Sequence, residues 1–174
     1  MQRRITKVKV HKGRVQIKYL RRKRKDDDDP DEYSLACRDL PHPDLEKALA
    51  DLAPAVREWL EVSPTTFPRL TPISVAYTWR LDTEDREVMG ASVCALVELS
   101  MSNAPLILNC PHKPERPYNA DAPDEQHDVC LPAETVAALR TVMQEAEAYV
   151  DGKRTQGTLD FEPRPSAETV GAGP

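Results

Sequence analysis

Three observations predict an α+β fold: a mostly antiparallel sheet built from hairpins, two main helices packed on one face and a disordered C-terminal tail. Segments of alternating apolar and polar residues come in adjacent pairs joined by turn residues, around residues 7–19 and 73–99, the period-two signature of hairpins. Two longer segments, starting near Pro43 and Pro132, repeat apolar residues at helical spacing. The order in which strands and helices arrive gives a mixed α+β body.

The first pair opens the chain. Val8 and Val10 alternate with Lys7 and Lys9, and Val15, Ile17 and Tyr19 alternate with Arg14, Gln16 and Lys18, with His11-Lys12-Gly13 as the turn. One face of this hairpin is therefore apolar and the other basic. After it, Asp26–Asp29, Pro30, Asp31 and Glu32 place six acids in seven positions. They lack the ligand spacing and turn glycine of a calcium loop, so they read as a solvated turn beside the basic run. Tyr33, Leu35 and Cys37 alternate with Ser34 and Ala36 as a third strand.

Pro41-His42-Pro43-Asp44 reads as a helix start. Leu45, Ala48, Leu49, Leu52, Val56, Trp59 and Leu60 supply its apolar face, and Pro54 within that pattern is expected to kink or split the helix near Ala53. Pro64, Pro68 and Pro72 make the next stretch a loop. Ile73–Leu81 and Val88–Leu99 form a second, longer hairpin across Asp82–Glu87, its second strand apolar on both sides and hence central. Asn103-Ala104-Pro105 turns into a short strand, Leu106-Ile107-Leu108. Pro132 opens the last helix, whose expected stripe is Val136, Leu139, Met143, Ala146 and Val150, and Asp151-Gly152 ends it.

At 174 residues the chain is long enough for one domain with its own core. We expect a body over residues 1–151 and a flexible tail over 152–174. No apolar run approaches a membrane span and no apolar region follows the basic first residues. The expected setting is therefore cytoplasmic, where Cys37, Cys94, Cys110 and Cys130 are reduced thiols.

Charge is divided sharply. Twelve of the twenty-four basic residues lie in the first 25 positions without an acid among them, which leaves a net charge of −17 on the 149 residues that follow. Lys7, Lys9, Arg14, Lys18, Arg21 and Arg22 form the candidate nucleic-acid surface, since phosphate contacts need charge and spacing but no base reading. The competing reading is a solvated sheet face whose lysines discourage edge pairing.

Two further stretches carry candidate sites. Cys110-Pro-His112 and His127-x-x-Cys130 hold a ligand set chemically suited to tetrahedral zinc, but at a spacing that matches no zinc motif. We therefore expect no metal and no cofactor there. His112, Lys113 and Arg116 are an alternative anion-binding loop, weighed against a solvated one. In the tail, Gln156, Leu159 and Phe161 set two large apolar side chains one residue apart in a polar setting, where an extended backbone puts both on one side. The competing reading is a strap that folds back onto the body.

The pattern Gln156-x-x-Leu159-x-Phe161 resembles the short peptide by which bacterial replication and repair proteins dock into the apolar pocket of the sliding clamp. It departs at Gly157, where such peptides often carry an aliphatic residue. The Asn103-Ala104-Pro105-Leu106 to Pro111-His112-Lys113-Pro114 stretch and the Tyr149-Val150-Asp151-Gly152-Lys153-Arg154-x-Gln156 end resemble a family of small, uncharacterised phage and prophage proteins. The resemblance implies a setting, a phage protein in the cytoplasm of a host bacterium, and brings no activity or catalytic residues.

The chain carries no nucleophile elbow, phosphate-binding glycine loop, paired-carboxylate motif or metalloprotease helix. It is expected to be non-enzymatic, with the host sliding clamp as its partner, DNA as a further partner and no membrane. The alternative is a counter-defence or host-takeover protein whose body captures a host protein or small nucleotide.

Overall fold

The computed structural model describes residues 3–21, 30–119 and 129–154. Arg22, His127 and the tail positions Gln156, Leu159 and Phe161 lie outside the described residues, as does the expected flexible tail from residue 155 onward.

The described elements follow the order β1 (Arg3–His11), β2 (Arg14–Arg21), β3 (Asp31–Cys37), α1 (Pro43–Ala50), α2 (Ala53–Trp59), β4 (Leu70–Leu81), β5 (Glu87–Val97), β6 (Leu106–Asn109), β7 (Lys113–Pro114) and α3 (Ala133–Val150). Among the described residues the strands form one antiparallel seven-stranded sheet in the order β3-β2-β1-β4-β5-β6, with β7 pairing β5. The hairpins and the two main helices, the first bent into α1 and α2, are those expected from the sequence.

Local chemistry explains each boundary. Lys12 and Gly13, with φ of 51° and 67°, make a two-residue turn between the paired His11 and Arg14. Pro54 falls in the first turn of α2, so the split occurs where proline's missing N–H has no helical partner to lose. At the far end, the Gly152 N–H donates to Tyr149 O and the Lys153 N–H to Ala148 O. This double closure needs the left-handed φ of 105° that glycine adopts without a Cβ penalty.

One face of the sheet carries the core. Ile5, Val8, Val15 and Ile17 of the first hairpin join Val75, Tyr77, Met89, Ala91 and Val93 of the second, and the helices cover them with Leu45, Leu49, Leu52, Val56, Leu139, Val142 and Ala146. Tyr77 crosses this layer, its hydroxyl donating to the Leu139 carbonyl of α3 at 2.8 Å.

Two expectations require correction. Pro72 belongs to β4 rather than to the preceding loop, and the β4–β5 ladder shifts register between Pro72 and Ser74. A proline lacks a ladder donor, so a bulge is where a strand accommodates one. The buried stripe of α3 is Thr135, Leu139, Val142, Ala146 and Tyr149, while Val136, Met143 and Val150 flank it. Tyr149 takes the central place because its hydroxyl reaches the Asp39 carbonyl at 2.9 Å. Body contacts also run past residue 151: Lys153 pairs with Asp44 and Glu145, both at 2.7 Å, and Arg154 pairs with Asp39 at 3.0 Å and bridges Pro41. No described helix is long and apolar enough to cross a membrane.

Candidate polyanion-binding face

The basic surface depends on one irregularity in β1. Ile5 pairs with Tyr19, but Lys7 pairs with Lys18, so Thr6 is an extra residue with no partner in β2. In a regular strand Ile5 would share a side with Lys7 and Lys9. The bulge lets Ile5, Val8 and Val10 all face the helices while Lys7, Lys9 and His11 face away. It also leaves the Ile5 carbonyl to accept the Trp79 indole N–H at 3.3 Å.

Pairing across the sheet then sets two rows on the face opposite the helices. One runs Ser34, Lys18, Lys7, Ala76, Ser92, and the other Ala36, Gln16, Lys9, Ser74, Cys94, Asn109. Nearly every residue around the lysines is short, so the ammonium groups stand above a low, polar floor. The Cys94 thiol on this face is raised above its ordinary value by burial, with Lys9 and Lys7 pulling the other way. Both lysines stand on β1, between β2 and β4, near the middle of the face.

At the hairpin tip this face deepens into a groove of about 610 Å³ bordered by Lys9, His11, Lys12, Arg14, Gln16, Ala36 and Arg38, with no acid on its walls. Most other cations are neutralised: Arg3, Arg4, Lys18, Lys47, Arg69, Arg86, Arg116, Arg140, Lys153 and Arg154 each meet a carboxylate. Lys7, Lys9, Lys12, Arg14 and Arg38 meet none among the described residues. In a chain of net charge −5, these five cations gather on one face and its groove. That arrangement suits a ligand carrying a row of negative charges.

The six expected nucleic-acid residues fare differently. Lys7, Lys9 and Arg14 share the open face unpaired. Lys18 shares it but is held by Glu32 at 3.3 Å. Arg21 has the same strand parity as Tyr19 and Ile17 and so belongs to the helix side. Arg22 lies outside the described residues. Lys12 and Arg38 were missed as site residues; the signal for Arg38 was its place two residues beyond Ala36 in the third strand's alternation.

The three candidate zinc ligands among the described residues, Cys110, His112 and Cys130, form no metal-holding group. Cys110 lies in the core, where burial pushes its thiol up to about 11, and its N–H donates to Val93 O. His112 sits on the open face over Gly90, 2.7 Å from Thr78 Oγ1, its pKa lowered by burial and by Arg80. Cys130 is beside the start of α3 with a thiol raised by burial, and His127 lies outside the described residues. No group of three or more His, Cys, Asp or Glu among the described residues could hold a metal. The alternative anion loop also comes apart, because Arg116 turns to Asp82 at 3.3 Å and to the Glu87 carbonyl at 3.1 Å.

Comparison with family models, curated proteins and solved structures found no match.

Proposed function

We propose that this is a non-enzymatic phage accessory protein whose open sheet face lies along the phosphate backbone of DNA while its tail docks on the host sliding clamp. The observation that carries the DNA contact is the gathering of unpaired Lys7, Lys9, Lys12, Arg14 and Arg38 on one face and its groove. Lys7 and Lys9 are two residues apart on one strand, roughly 7 Å. Each DNA strand presents a charge about every 3.4 Å of helix axis, so a pair aligned with that axis spans about two phosphate steps. Among the described residues the two lysine rows carry no Phe, Tyr or Trp for stacking bases, which favours backbone contact over single-strand readout. The clamp contact rests on Gln156, Leu159 and Phe161 in the sequence.

Duplex DNA binding is the test. Affinity should fall steeply with salt, and the Lys7→Glu/Lys9→Glu variant should both weaken binding and reduce the salt slope by about 0.9 for each phosphate that is no longer neutralised. Arg140→Glu, at a cation already paired with Glu115, should bind almost as the wild type does. Salt-insensitive or absent binding would remove the DNA contact. A parallel titration of sliding clamp with the intact protein and with a chain ending at Arg154 tests the tail, since equal binding by both would remove that part.

The groove supports a second reading, in which the folded body captures a small nucleotide. Its size and its clustered His11, Lys12, Arg14 and Arg38 fit a phosphate group better than a long duplex. Tight binding of a mononucleotide, abolished in Arg14→Ala/Arg38→Ala, with weak DNA binding would favour this reading.

A further inference from the structure

A second anion-seeking arrangement lies on the helix side, independent of the open face. Helix α3 begins at Ala133 after Pro132, and no side chain caps it. The Val136 N–H donates to Pro132 O at 3.0 Å, while the N–H groups of Ala133, Glu134 and Thr135 have no acceptor among the described residues. These are the donors that every helix start leaves over. In an 18-residue helix they also carry the positive end of the dipole.

Facing this helix start is a pocket of about 180 Å³ between α2 and α3, bordered by Glu58, Trp59, Lys113, Cys130, Pro132 and Thr135. Trp59 is only 9% exposed, and its indole N–H is buried without a hydrogen-bond partner. A buried donor left unpaired costs free energy unless something occupies the space in front of it. Lys113 pairs with Ala91 on the helix side of the sheet, is half-buried and meets no carboxylate among the described residues. Three kinds of donor thus cluster around one small pocket, namely an uncapped helix start, the buried, partnerless indole N–H of Trp59 and the Lys113 ammonium.

We infer that this pocket binds a small oxyanion, the phosphoryl or carboxylate group of a ligand, held by the α3 N–H groups, the Trp59 indole and the Lys113 ammonium. Glu58 is exposed at the pocket's edge and, with Glu134 in the first turn of α3, opposes an anion there. The two tryptophans provide a reporter with its own control. The Trp79 indole N–H is already bonded to Ile5 O, whereas that of Trp59 is free to take a new partner.

The test titrates the 15N-labelled full chain with inorganic phosphate and, separately, with acetate, following the two indole cross-peaks, which a Trp59→Phe variant assigns. The Trp59 peak should move and saturate while the Trp79 peak holds. Lys113→Met should weaken the response about tenfold or more, as expected for loss of a charged hydrogen bond, and Glu58→Gln should strengthen it. A response to phosphate alone identifies a phosphoryl ligand and a response to acetate alone a carboxylate; either supports the site. A Trp59 peak unmoved by both anions, or moved equally in Lys113→Met, would overturn it. Lys7→Glu/Lys9→Glu should leave the response intact, so this inference and the DNA reading fail separately.

Discussion

Single residues here act mainly by filling or emptying space around a polar contact. His112 can lie across β5 only because residue 90 is glycine: a Cβ there would overlap the imidazole and come within 2.7 Å of Thr78 Oγ1. Gly90→Ala should therefore lower stability by about 1–3 kcal/mol, the usual range for overpacking. Because the obstruction is the end of a side chain, His112→Ala should recover much of that loss. Denaturant midpoints for the two single variants and the double variant check this, and additive losses would mean that the imidazole does not set the requirement. None of it was legible beforehand. Cys110 and His112 are two residues apart in a loop-like stretch, and sequence could not say that one turns into the core and the other onto the open face.

At the level of elements, legibility followed the strength of local chemistry. Alternation in β1 to β3, the break at Pro54 and the glycine stop after α3 are each fixed by a few adjacent residues, and each appears as expected. The two-residue β7 has too little pattern to declare itself, and the stripe of α3 turned because a tyrosine with a reachable acceptor outranks a valine. The Thr6 bulge is the most consequential hidden feature, since it is defined by the partner strand rather than by its own residue type. It yields an unusual expectation. Deleting one residue from the middle of a strand ordinarily turns half of it inside out, but deletion of Thr6 should leave a regular ladder with Ile5 still facing the helices. The Thr6 deletion should retain a cooperative thermal transition and a native-like amide spectrum, whereas deletion of Gln16 in β2 should not.

For the whole molecule, charge governs the response to pH. Burial of Asp82 favours its neutral form, but the Arg86 and Glu84 N–H groups and the Arg86 guanidinium outweigh this and hold its pKa below the ordinary 3.8. The Lys153 hydrogen bond lowers Asp44 in the same direction. A depressed carboxylate stabilises the fold above its unfolded pKa and loses that contribution as pH falls through the folded one. Stability should therefore decline below about pH 4, and Asp82→Asn should show a shallower acid limb. On the alkaline side, burial raises Tyr149 to about 12 from 10.0. A raised group contributes fully below its unfolded pKa, so stability should decline again between those two values, less so in Tyr149→Phe. Melting temperature measured across pH checks both limbs.

The segregation of charge has one more outcome. Under the proposed DNA reading, a copy laid on a polyanion spends Lys7, Lys9, Lys12, Arg14 and Arg38 on that single track. Such a copy would occupy one strand's length without tying it to a second.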